Sequence, residues 1–231
     1  MPFCTHPTQL EELTLKSCNT SVTPENVLTL SAPCKIAAAN LQKLTIECHP
    51  FLETILFEEA PHALHSLKIS GCNDLENILG LDHCKSLHYL YLNNQHLKTL
   101  SACDALTHAY LRRCYQLEEK ADLRVWPNLK RLTLDDTALH KFEELAKCQH
   151  LVHLDLKGAA ARAPDLLSKI QTLTFVKRLT FDVAPFDKEA IIAHGAAQGM
   201  KVAMPYEAAG TTTSCSLCSA SGLSPRRANK A

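Results

Sequence analysis

The chain has 231 residues, enough for one large domain or two small ones. Its 46% hydrophobic and 21% charged content is that of a globular protein, and 24 Lys and Arg balance 24 Asp and Glu to zero net charge. A neutral molecule has no long-range field for nucleic acid or an anionic membrane, so either would need a local patch. No apolar run approaches the ~18 residues of a membrane span. The opening Met1-Pro2-Phe3-Cys4-Thr5-His6-Pro7 lacks the basic region and apolar stretch of a secretory leader. Eleven cysteines, an odd number in a chain of this length, fit free thiols in a reducing compartment. The expected location is therefore cytoplasmic or nuclear, not secreted.

Along the chain one pattern recurs: an apolar residue, two others, a second apolar residue, one other, and a third. It runs through Leu10-Leu13-Leu15, Leu41-Leu44-Ile46, Leu64-Leu67-Ile69 and Leu87-Leu90-Leu92. It continues through Leu106-Ala109-Leu111, Leu129-Leu132-Leu134, Leu151-Leu154-Leu156 and Val176-Leu179-Phe181. The starts lie 31, 23, 23, 19, 23, 22 and 25 residues apart. Apolar residues two apart line one face of a short strand. Strands are expected at 12–15, 43–46, 66–69, 89–92, 108–111, 131–134, 153–156 and 178–181. The longer first interval has room for a helix, and Thr23-Pro24-Glu25 reads as its N-cap, first-turn proline and first-turn acid.

Three residues after the last apolar position of each repeat stand Cys18, His49, Cys72, Gln95, Cys114, Thr137, Ala159 and Ala184. A residue there points inward where the chain turns, and a polar one can pair turn backbone that burial would leave unpaired. Cys84, Cys103 and Cys148 lie three residues before the leucines that open their repeats and should fill the core. Repeats of 19 to 25 residues leave little room for a full helix on the far side, so loops, 3₁₀ turns and short helices are expected there.

This register resembles that of leucine-rich-repeat proteins, whose consensus carries Asn or Cys at the inward turn position. The cysteine form is similar to repeats associated with F-box proteins, although no F-box or RING segment is present. The resemblance covers about residues 8–184. It implies an α/β solenoid of about eight repeats, with a parallel sheet on the concave side and short helices or loops on the convex side. It further implies a scaffold that binds other proteins, with substrate recognition in a larger assembly as one form. On this reading 1–184 is the solenoid and 185–206 a C-terminal cap. In the cap, Asp187 starts a helix to about Ala197, Phe186 and Ile191 form a hydrophobic staple, and Met200 to Met204 adds a strand. The Ser-rich 207–231 reads as a disordered tail. Fewer than ten residues precede the first repeat, so the N-terminal edge is expected to be thinly covered.

Chemistry is hard to find. The Cys215/Cys218 pair lacks the second pair that zinc needs, and the groupings His83-Cys84, Cys48-His49 and His62/His65 have no ligand spacing. No nucleophile elbow, P-loop or dinucleotide fingerprint occurs. The expectation is a non-enzyme without metal or cofactor. Surface residues are more informative. The positions between the leucines carry Tyr89, Tyr91 and Tyr110 in adjacent repeats, with His88, His108, Arg112, Arg113 and Arg131 around them. With strands about 4.8 Å apart these form one patch. Tyr and Arg are enriched at binding hot spots, so the patch is the expected site for a protein or peptide. The alternative is a nucleic-acid adaptor, since aromatics among arginines can stack bases and hold phosphates.

Overall fold

A computed structural model describes residues 11–16, 27–30, 40–57, 63–117, 126–137, 145–146, 148–162 and 164–204. The strands are β1 (Glu12–Lys16), β2 (Val27–Leu30), β3 (Lys43–Glu47), β4 (Thr54–Phe57), β5 (Ser66–Ser70), β6 (Asn77–Leu79) and β7 (Tyr89–Asn93). They continue as β8 (Thr99–Leu100), β9 (His108–Arg112), β10 (Arg131–Asp135), β11 (His153–Lys157), β12 (Arg178–Phe181) and β13 (Lys201–Ala203). Two α-helices are described, α1 (Leu166–Gln171) and α2 (Lys188–Ala197), with 3₁₀ turns at Leu81–His83 and Gly158–Arg162. The class is α/β, with a nine-stranded sheet ordered β1-β3-β5-β7-β9-β10-β11-β12-β13. Every pairing in it is parallel.

The alternating apolar residues dictate the register. Leu44 pairs with Leu67, Leu67 with Leu90, Leu90 with Ala109, Ala109 with Leu132, and Leu132 with Leu154. A slip of one residue would turn all of them to solvent. From β3 to β12 these residues are buried, and they form one contiguous core.

The connections carry the expected 3₁₀ turns and short helix, at Leu81–His83, Gly158–Arg162 and Leu166–Gln171, but those up to β9 also carry strands. β2, β4, β6 and β8 form a second parallel sheet of four strands. The chain thus alternates between the sheets from β1 to β9, adding one strand to each in turn. Ile55, Phe57 and Ile78 face the core from this second sheet. β2 also overturns the helix expected in the first interval, because Val27–Leu30 is extended; Thr23-Pro24-Glu25 lies outside the described residues. After β6 the chain turns at Gly80 with φ 77°, where any Cβ would lie 2.0 Å from the Phe57 carbonyl oxygen. Only glycine fits so close a backbone approach.

The turns that leave the large sheet share a device. Cys48, Gly71, Arg113, Asp136 and Gly158 each follow a strand and adopt left-handed φ between 50° and 66°. The next residue then points inward: Cys72, Cys114 and Thr137 are all buried. Thr137 Oγ1 accepts from the Cys114 amide at 3.3 Å and lies 3.2 Å from the Leu111 carbonyl, to which it donates. No left-handed residue follows β7, so the inward position arrives one residue early. Asn94, not the expected Gln95, is buried there. Its Oδ1 accepts from the amides of His96 and Leu97 at 2.7 and 2.8 Å, and its Nδ2 donates to the Cys72 carbonyl. Asparagine thus pairs three backbone groups that burial would otherwise leave unmatched.

The second cysteine set is also inward. Cys84, Cys103 and Cys148 are buried, and their carbonyls accept from the amides of Leu87, Leu106 and Leu151. The fully buried Trp126 takes the equivalent place before Leu129. Burial raises the thiols of Cys72, Cys84 and Cys103, pushing Cys84 up to about 12. The thiolate is the reactive form, so native alkylation should be slow at all five buried sites, Cys72, Cys84, Cys103, Cys114 and Cys148. Among the described cysteines the exposed Cys48 should label first. Mass spectrometry of iodoacetamide-treated native protein checks this; early label on Cys84 or Cys114 would contradict it.

At the C-terminal end α2 begins after Asp187, as expected, and Gly199 leaves it at φ 64°. Two details differ. The Asp187 side chain makes no capping hydrogen bond, and Phe186 is 80% exposed while Ile191 is buried, so the expected staple does not close. β13 adds a ninth strand beside β12.

Candidate functional site

The open face of the large sheet is built by residues between the core leucines. In β7 and β9 the register sets Tyr89 beside His108, Tyr91 beside Tyr110 and Asn93 beside Arg112. The rings of Tyr91 and Tyr110 stack with centroids 5.0 Å apart. Lysines flank the stack on both sides: Lys68 Nζ lies 5.7 Å from the Tyr91 ring and Lys157 Nζ 5.4 Å from the Tyr110 ring. Each cation meets the negative face of a π system. Tyr91 and Tyr110 are half-buried by this packing, whereas Tyr89 remains 41% exposed.

Carboxylates tie the patch down. The Tyr110 hydroxyl donates to Asp135 Oδ2, and Arg112 Nε stands 3.6 Å from the same oxygen. Burial, then the hydrogen bond to the Asp135 carboxylate, raise the Tyr110 phenol, which stays protonated. Arg112 Nε is itself covered, yet no hydrogen-bond acceptor meets it among the described residues.

A second cluster adjoins the first. Asp155 lies on the face of β11 but is only 4% exposed. Arg131 donates to its Oδ2 from Nε at 3.0 Å and from Nη2 at 2.7 Å, and Thr133 Oγ1 donates to it at 3.0 Å. His153 Nε2 is 3.0 Å from Asp155 Oδ1 and 3.2 Å from Thr180 Oγ1. Burial alone would raise the Asp155 carboxyl. Hydrogen bonds from Arg131 and Thr180, the charge of His153 and the Thr133 hydroxyl outweigh burial and hold it below the usual carboxylate range. His153 is held below its ordinary value, chiefly by burial, with Arg131 and Arg178 opposing the pull of Asp155.

Both shifts have the same sign for stability. A group whose folded pKa lies below its unfolded one takes up a proton on unfolding. Its stabilisation is whole above the unfolded value and is lost as pH falls through the folded value. Acidification should therefore weaken the fold in two stages, beginning below about 6.5 for His153 and below about 4 for Asp155. Urea midpoints across that range check this. His153→Gln should flatten the upper part of the curve and Asp155→Asn the lower part. A profile that neither variant alters would show that the cluster does not couple to folding.

Six of the expected site residues come together on this face: Tyr89, Tyr91, His108, Tyr110, Arg112 and Arg131. Arg113 stands apart from them. It follows β9 in a left-handed turn, and its Nε lies 3.9 Å from Asp136 at the ends of the strands. His88 stacks on His65 at 5.8 Å, one position before the strands begin. The repeat register also sets Lys68, Lys157 and Asp135 on this face, and the structure makes them contacts of the tyrosines. No protein-family model matches the chain, and no curated protein matches it significantly. Among the described residues no group of His, Cys, Asp or Glu is placed to hold a metal ion. No described helix is long and apolar enough to cross a membrane.

Proposed function

We propose that the chain is a leucine-rich-repeat solenoid that binds a protein or peptide on the open face of its large sheet. The repeat reading is supported by like residues pairing with like across successive parallel strands, Leu67 to Leu90 and Ile69 to Leu92 among them. A coil in which each turn adds one strand to the large sheet presents a continuous face whose polar side chains are free to diverge. The observation that carries the binding reading is the aromatic cluster. Tyr89 is open to solvent beside the stacked Tyr91 and Tyr110, and the partly exposed Arg112 guanidinium adjoins them. Large rigid rings beside a guanidinium lose little entropy on binding and pair readily with a partner carboxylate or carbonyl.

Charge favours a protein partner over nucleic acid. Arg112 and Arg131 already face Asp135 and Asp155, so little unmatched positive charge is left for phosphates. Photo-crosslinking tests the reading. A benzophenone amino acid placed at Tyr89 should capture a discrete protein or peptide in cell extract, identifiable by mass spectrometry, and the same group at the exposed Asn73 should not. Capture of RNA, or an identical product from both positions, would overturn it.

A further inference from the structure

We infer a second recognition site, a cationic groove with an apolar floor at the start of β10, β11 and β12, which takes an acidic peptide segment bearing an aliphatic or aromatic anchor. The groove has a volume of about 360 Å³ and is lined in part by Lys130, His150, Val152, Phe175 and Lys177. Its construction follows from the parallel register. Lys130, Val152 and Lys177 are the residues immediately before three neighbouring strands. Their backbones are chained, with the Val152 amide donating to the Lys130 carbonyl at 2.9 Å and the Lys177 amide to the Val152 carbonyl at 2.8 Å. Two lysines therefore flank a valine at strand spacing, roughly 10 Å from each other. Val152 is 43% exposed and Phe175 40%. Apolar side chains this open gain by being covered.

The charge here is one-sided although the chain as a whole is neutral. Among the described residues no carboxylate lines the groove. One step along the strands the face adds Arg178 and, on β13, Lys201, while Arg131 and His153 there face Asp155. Asp155, the acid nearest in register, is covered and already hydrogen-bonded to Arg131 and Thr133. Neighbouring imidazoles feel this field. His108 is held below its ordinary value by burial and then by Arg131 and Lys130. A complementary ligand presents negative charge on both sides of an apolar group. A peptide of the kind acid-apolar-acid does so along an extended backbone. The residue between the two lysines is the aliphatic Val152, which suits an aliphatic anchor better than a base, although Phe175 beside it offers a ring face. The groove lies at the strand ends, away from the stacked tyrosines, so it does not depend on the function proposed above.

The test uses the full chain and a fluorescein-labelled heptapeptide, Asp-Glu-Asp-Leu-Phe-Asp-Glu, with anisotropy as the readout. Saturable binding that weakens on raising salt from about 50 to about 300 mM is expected, since exposed charges are screened over that range. Lys130→Glu with Lys177→Glu should weaken binding at least about tenfold. Both lysines are exposed, so the variant should melt where the wild type does. If it does not, the milder Lys130→Gln, Lys177→Gln pair replaces it. Val152→Ser should also weaken binding, while Tyr89→Ala, Tyr91→Ala and Arg112→Ala together should leave it unchanged. That last arm separates this site from the tyrosine face. The inference is overturned by absence of saturable binding, by equal binding of the folded lysine variant, or by equal binding of a peptide with two serines in place of Leu-Phe. Tighter binding of a single-stranded oligouridylate at the same lysines would overturn it in favour of nucleic acid.

Discussion

Leu132→Ala should lower the stability of the folded chain by about 2–5 kcal/mol. Leu132 sits on the inward face of β10 with no solvent exposure. Its register partners are Ala109 on β9 and Leu154 on β11. Ala109 is already small, so truncating Leu132 puts two alanines side by side in the middle of the core. Neither has the reach to fill the space, and the strands on both sides are fixed by ladder hydrogen bonds and cannot close in. The loss therefore combines the transfer term for the missing methyls with an unrelaxed cavity. Urea denaturation followed by circular dichroism measures it. A matched change at the exposed Lys130, to Ala, should stay within about 0.5 kcal/mol. A cost under about 1 kcal/mol for Leu132→Ala would mean the core can repack around β10, contrary to the register described.

The alternating leucines made the large sheet legible to within a residue, because burial of one face couples side-chain period to strand register. β10 was expected at 131–134 and runs Arg131–Asp135. The small sheet was not legible, for a physical reason. Its strands are two to four residues long, as in Thr99–Leu100 and Thr54–Phe57, and a segment that short offers one or two alternations at most. Its hydrogen bonds come from lateral pairing of each segment with its counterpart one repeat away, and not from a pattern within the segment. The helix expected after Thr23-Pro24-Glu25 shows the converse. A local cap signal lost to the lateral pairing of Val27–Leu30 with β4. Asn94 was missed because a fixed offset was counted from the last leucine. The true constraint is a left-handed residue before the inward turn, and the turn after Asn93 omits it. Trp126 broke the cysteine pattern by identity while keeping the position, a reminder that a slot filled by Cys in one repeat asks only for an apolar group that packs. Of the site, sequence supplied the residues and their adjacency. It could not supply the pairing of Tyr110 and Arg112 with Asp135, which depends on side chains leaning across from β9 to β10.

The other large effect should appear in binding and hardly at all in folding. Tyr91→Ala removes a ring that covers Tyr110 and meets Lys68, contacts across neighbouring strands that together stabilise by about 0.5–1 kcal/mol. Tyr89→Ala removes a more open ring and should cost less. Arg112→Ala leaves Asp135 with the Tyr110 hydroxyl as a donor and removes a partly exposed ion pair, so the net change in stability should be small. The triple variant should therefore still unfold cooperatively, with a modest drop in Tm. For the partner captured by crosslinking at Tyr89, the same three changes should lower affinity by at least about 2 kcal/mol, roughly thirtyfold in Kd. The two effects part because the rings' inner faces serve the sheet while their outer faces and the guanidinium serve the partner. Calorimetric titration beside a thermal melt reads both on one sample. Unchanged affinity in a folded triple variant would falsify the tyrosine face as the binding site, leaving the groove before β10–β12 as the remaining candidate surface.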